Sequence, residues 1–129
     1  MLKKTIEYTD YNGSQRKEDH YFNLNKLELI EIDAKYPGGL SATINKLSAE
    51  ENSAKIIELV KDMIIKSYGV KSEDGKRFIK NQEVIDSFTQ TEAFSELFME
   101  LATDADKAAN FFNGIVPKVD NNGAIPPAK

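Results

Sequence analysis

The chain changes hydrophobic period at Asn23. Before it, residues 2–9 alternate, with Leu2, Ile6 and Tyr8 on one face and Lys3, Thr5 and Glu7 on the other. Residues 16–22 read as a second strand ending in His20-Tyr21-Phe22. Asn12-Gly13 between them is a strong hairpin signal, because both residues tolerate the positive φ that tight turns need. A two-residue turn there would set Glu7 opposite Glu18, an unfavourable like-charge pair. A glycine bulge that shifts the pairing by one residue aligns Ile6 with His20 and Tyr8 with Glu18 instead. The bulged register is the one expected, since it places His20 and Phe22 on the apolar face.

Beyond Asn23 the apolar positions recur about every 3.6 residues, the helical period. Asn23 or Asn25 can cap a first helix through Leu27, Ile30 and Ala34, which Pro37-Gly38-Gly39 ends. Leu40, Ile44 and Leu47 form a short second stripe. Ser48 and Glu51 have capping-box spacing, in which each side chain satisfies an orphan amide at a helix start. The helix they open runs through Ile56, Ile57, Leu59, Val60, Met63 and Ile64 to Gly69, and its broad apolar face makes it the expected centre of the core. A charged turn around Asp74-Gly75 follows, then a brief extended segment at Arg77-Phe78-Ile79. Asn81 can cap a helix through Val84, Ile85 and Phe88. Thr89 with Glu92 repeats the capping box, and Thr103 with Asp106 is an acidic variant of it.

Residues 88–112 hold five of the seven phenylalanines, so this stretch is either core or a surface for another protein. Phe94, Leu97, Phe98 and Leu101 stand at i, i+3, i+4 and i+7, one complete helical face. Ala105, Ala108, Ala109 and Phe112 repeat a face with small residues. Met99 and Phe111 fall outside these stripes. With Ile115 and Val116 they are the candidate partner-contact residues, because an apolar patch of that kind marks a docking surface. The expected fold is α+β and predominantly α-helical, an N-terminal β-hairpin packed on about five helices. One domain is expected over residues 1–116. Residues 117–129 hold three of the four prolines and no periodicity, which predicts a flexible tail.

Composition narrows the function more by exclusion than by suggestion. The chain is 40% hydrophobic and 29% charged, as folded proteins are. Its net charge of −4, with basic residues interleaved among acidic ones, gives no footprint for nucleic acid. There is no cysteine, hence no disulfide and no thiolate metal site. No stretch approaches the roughly 18 apolar residues of a membrane span, and MLKKTIEYTD lacks the apolar run of a signal peptide. A cytoplasmic chain is therefore expected.

Chemical motifs fail on inspection. GVKSEDGKR has glycines one residue too far apart for a phosphate loop, and Arg77 stands where a magnesium-binding hydroxyl belongs. DADKAANFFNG opens like a calcium loop, but Ala108 and Ala109 occupy a ligand position and the required glycine position. Asn12-Gly13-Ser14 matches a glycosylation sequon and reads as a turn. His20, the only histidine, has no ligand or catalytic partner placed by sequence. No catalytic residue, cofactor or metal site is expected, and no enzyme.

The order hairpin, YFNLNKLELIEI, GGLSATINKL, IIELVKDMIIKSYGVKSEDGKRFIK and FTQTEAFSELFMELATDADKAANFFNGIVP resembles tail assembly chaperones of long-tailed bacteriophages and their prophages, over residues 2–117. SYGVKSEDGKRFIK and the run from Phe88 to Pro117 are its most specific pieces. The resemblance implies a protein that binds the tape measure protein, keeps it soluble and promotes polymerisation of the tail tube around it. It implies contact with tail tube protein through a frameshift-extended form, and a homo-oligomer that coats its long partner by a repeated head-to-tail contact. It also implies residence in the bacterial host cytoplasm and absence from the mature virion. The competing expectation is a small structural or head–tail joining component of the virion. The family offers no residue motif for partner contacts, so none is transferred.

Overall fold

The computed structural model describes residues 1–36, 38–49 and 53–117. Two hairpins build one four-stranded antiparallel sheet in the order β1-β2-β3-β4. Its strands are β1 (Leu2–Thr9), β2 (Gln15–Phe22), β3 (Tyr68–Lys71) and β4 (Phe78–Ile79). Between the hairpins lie α1 (Lys26–Lys35), α2 (Leu40–Ala49) and α3 (Ser53–Ser67). After them come α4 (Gln82–Thr89), α5 (Glu92–Thr103) and α6 (Ala105–Ile115). The α+β, mostly helical class is as the sequence predicts. The second hairpin is an addition, because the spacing read Tyr68-Gly69 as the end of a helix. The chain instead leaves α3 directly into β3, where Gly69 lies so close to Phe78 that a Cβ would sit 2.6 Å from the ring.

The first hairpin also differs in register. Ile6 faces Glu18, Lys4 faces His20 and Tyr8 faces Arg16, two residues away from the expected alignment. The turn is longer than two residues. Gly13 N–H donates to the Asp10 carbonyl at 3.0 Å and Asp10 N–H to the Ser14 carbonyl at 2.9 Å, with Gly13 at φ +83°. The Asp10 carboxylate accepts from the N–H groups of Asn12 and Ser14, both at 2.9 Å, and pairs with Arg16 at 2.6 Å. A slip of two residues preserves which face each side chain occupies. Ile6 and Phe22 are therefore buried as expected, and Glu7 faces Lys17 rather than Glu18.

Two helix starts follow the sequence signals. Asn25 forms a capping box with Glu28, the two bonds measuring 2.8 and 2.9 Å, and Asn81 accepts from Val84 N–H at 2.9 Å. The other capping expectations need correction. Thr89 closes α4, and Thr91 stands at the start of α5 with its hydroxyl donated back to the Phe88 carbonyl. Thr103 closes α5, and Asp104 caps α6 by accepting from Asp106 and Lys107 N–H. An aspartate one residue nearer the helix does this better than the threonine, because a carboxylate both accepts and suits the positive helix end. The capping box expected at Ser48 and Glu51 lies outside the described residues, as does the tail from residue 118 onward.

The core gathers against the inner face of the sheet. Phe22, Met63, Ile64, Phe88, Leu97 and Ile115 are almost wholly buried there. Phe22 meets Phe88 at 5.7 Å and Phe111 at 5.3 Å between ring centroids, both edge-on, and Tyr68 stacks on Phe88 at 4.4 Å. Such geometries add to the area term, since ring edges and faces carry opposite partial charge. In α3, Leu59, Val60, Met63 and Ile64 are buried as expected, but Ile57 is exposed.

Helix α1 is turned over relative to the expected stripe. Leu29 and Ile32 are buried, whereas Leu27, Ile30 and Ala34 face outward. A polar clip accompanies this rotation. The Lys80 ammonium donates to both Glu28 carboxylate oxygens at 2.8 and 2.9 Å and to the Asn23 carbonyl at 2.6 Å. Ile32 lies one turn from both Glu28 and Leu29, so a rotation that brings Glu28 to Lys80 is compatible with Leu29 and Ile32 facing the core.

Candidate partner-binding surfaces

The four candidate contact residues do not share a surface. Met99 is 56% exposed on α5 and Val116 is half-buried, but Phe111 is 4% exposed and Ile115 is fully enclosed. The face of α6 that turns inward is Ala108, Phe111, Phe112 and Ile115, while Ala105 and Ala109 are exposed. That set also stands at i, i+3, i+4 and i+7, so the signal was present in the sequence and the alanine stripe competed with it. Two close contacts hold α6 in this rotation. The Ile115 carbonyl accepts from Leu24 N–H at 2.7 Å. A Cβ on Gly114 would come within 2.9 Å of Leu2.

Apolar side chains reach the surface elsewhere. Leu27 is 66% and Ile30 58% exposed, and with Ala34 they make an outward stripe at i, i+3 and i+7 along α1. These three residues are the stripe expected from the sequence for the first helix; the structure turns Leu29 and Ile32 inward instead, with Glu28 held by Lys80. Separately, α2 and α3 enclose an open cleft of about 810 Å³. Tyr36, Leu47, Leu59 and Ile65 line it beside Lys46, Lys61, Glu58 and Asp62. The Tyr36 hydroxyl approaches the Asp62 carboxylate at 3.5 Å. Burial, together with the Asp62 charge, holds the Tyr36 hydroxyl above the ordinary tyrosine range.

The titratable groups serve structure. His20 packs on Phe88 at 5.1 Å, and its Nδ1 is buried with no hydrogen-bond partner among the described residues. Burial pushes its pKa down, while Glu18, whose carboxylate is 4.0 Å from Nε2, partly opposes the shift. Burial likewise lowers Lys80, against the pull of Glu28. Among the described residues no group of three or more His, Cys, Asp and Glu could hold a metal ion. No described helix is long and apolar enough to cross a membrane.

The described surface thus presents outward apolar side chains along α1 and an open cleft lined by both apolar and charged groups. The sequence profile of the phage tail assembly chaperones matches residues 1–121, and the chain belongs to that family. No curated protein and no solved structure matches it significantly.

Proposed function

We propose that the chain binds the tape measure protein, keeps it soluble during synthesis and promotes polymerisation of tail tube protein around it, all by non-covalent contact in the host cytoplasm. Family membership supplies the assembly role. The observation that carries the tape measure reading is the outward stripe of α1. A ten-residue helix with one apolar stripe in the core and a second facing water is suited to hold an amphipathic helix from another chain. Exposed leucine and isoleucine at helical spacing are the anchors such recognition uses, and truncating one buried anchor commonly costs about 2 kcal/mol or more.

The double variant Leu27→Asp/Ile30→Asp tests this reading in pull-downs with purified tape measure fragments, alongside a melting curve. Both side chains are outside the core, so the expected result is an unchanged melt and at least roughly thirtyfold weaker capture. Unchanged capture by the folded variant would remove the α1 stripe from the reading.

A further inference from the structure

Among the described residues strand β1 is an edge of the sheet, with β2 on one side only. The Asp10 N–H to Ser14 carbonyl bond fixes the phase of the ladder. Hydrogen-bonded and non-bonded pairs alternate along antiparallel strands, so Leu2, Lys4, Ile6 and Tyr8 exchange bonds with β2. Lys3, Thr5, Glu7 and Thr9 then turn their N–H and C=O groups to the open side. All four residues are exposed. The helices beneath the sheet do not close this edge. They meet β1 through inner-face residues, Lys4 pairing with Glu100 on α5 at 2.6 Å and Leu2 packing on Gly114 of α6.

The open edge is complementary to itself about Thr5. In an antiparallel pairing of two copies centred there, Lys3 of each copy stands opposite Glu7 of the other, so two opposite-charge pairs flank a central Thr5–Thr5 pair. On the inner face Leu2 stands opposite Tyr8. Odd residues meet odd residues, so the free backbone groups of both strands converge as hydrogen-bonded pairs. Among the described residues Lys3 makes no ion pair within its chain, and Glu7, although it faces Lys17 across the hairpin, makes none within 4.0 Å. Nearby registers are worse. Centring on Lys3, Lys4 or Glu7 opposes like charges, which destabilises a pair, and centring on Ile6 sets Thr5 opposite Glu7 and Lys3 opposite Thr9, so both opposite-charge pairs are lost. Lysines on an edge strand ordinarily repel a second strand; here the lysine has its complement four residues along the same face.

We propose that two copies of this chain associate through β1, antiparallel and centred on Thr5, joining their sheets into one around a two-fold axis. The contact is isologous and closes on itself. It does not depend on the tape measure reading, and it leaves the α1 stripe of both copies uninvolved in the strand pairing.

The chain has no cysteine, so a single introduced thiol reports the contact directly. Across a hydrogen-bonded antiparallel pair the Cα atoms lie about 5.5 Å apart, within disulfide reach. Thr5→Cys is expected to form a covalent dimer under mild oxidation, at concentrations where the equally exposed Lys17→Cys does not. Sedimentation of full-length charge variants gives the second arm. Glu7→Lys and Lys3→Glu should each weaken the dimer by about tenfold or more, and the combined swap should restore it. Melting curves confirm that each variant is folded, and the Thr5→Cys result stands even if a reversal unfolds the chain. Equal crosslinking of both cysteine variants, a swap that fails to restore association, or a parent that stays monomeric at several hundred micromolar overturns the proposal.

Discussion

Helices α1 and α6 are of similar length, 10 and 11 residues, and each carries more apolar side chains than one narrow stripe can hold. Their outcomes are opposite. In α6 the large residues all find cover, Phe111 and Ile115 completely and Phe112 in part, because α3, α5 and β1 pack around it. In α1 they divide, Leu29 and Ile32 inward and Leu27 and Ile30 outward. The difference is one of position. A helix that meets a strand and two other helices covers its large apolar side chains and leaves alanine and polar residues to water, whereas one held along one side leaves large apolar side chains to water or to a partner. Surplus apolar character in a sequence therefore marks a docking surface only where the fold leaves it uncovered.

The largest expected effect falls on the covered helix. Phe111→Ala removes a ring that packs edge-on against Phe22 and should cost about 3–5 kcal/mol in urea unfolding. A loss under about 1 kcal/mol would mean that α6 is not part of the core, and the contrast with α1 would collapse. The N-terminal cap of α1 should yield less. Asn25→Ala breaks the capping box and is expected to cost about 1 kcal/mol. Amide exchange in that variant should quicken in α1 and leave α6 protected, which sharpens the comparison; equal quickening in both would show one cooperative unit. The smallest effect is expected at His20, because Glu18 returns part of what burial takes away. Its folded pKa is depressed, so the unfolded chain binds the proton more readily. The stability this histidine protects is complete above about pH 6.5, its unfolded value, and is lost as pH falls through the lower folded value. His20→Leu should remove that component from a series of melts on descending pH, and an unchanged pH profile would show that the ring does not titrate there.

Much of the architecture could be read from residue order. Alternation before Asn23 and the 3.6-residue period after it separate hairpin from helices, and Asn25 and Asn81 cap where short polar side chains precede apolar runs. The misplacements share one cause. The hairpin register, the start of α6 and the inward face of α1 each had two locally acceptable solutions, and polar side chains favoured one of them. Asp10 chose the turn by accepting two amides and a guanidinium. Asp104 chose the start of α6 over Thr103. For the contact residues the same holds, since Phe111, expected at a partner surface, is buried and Leu27, on the expected stripe of the first helix, is exposed.

By itself the sequence determined the first hairpin and its faces, the helical character of most of the rest, and the absence of any recognisable catalytic motif. These depend on period, parity and side-chain chemistry, which neighbouring residues define. Only the tertiary structure decided which apolar stripe is buried, that β3 and β4 extend the sheet, and that, among the described residues, β1 is an edge strand with no ion pair at Lys3 or Glu7. Burial and edge exposure are properties of what packs alongside, and Lys80 lies more than fifty residues from the Glu28 it orients. A helix of two stripes carries no local record of which one its distant partner will turn inward.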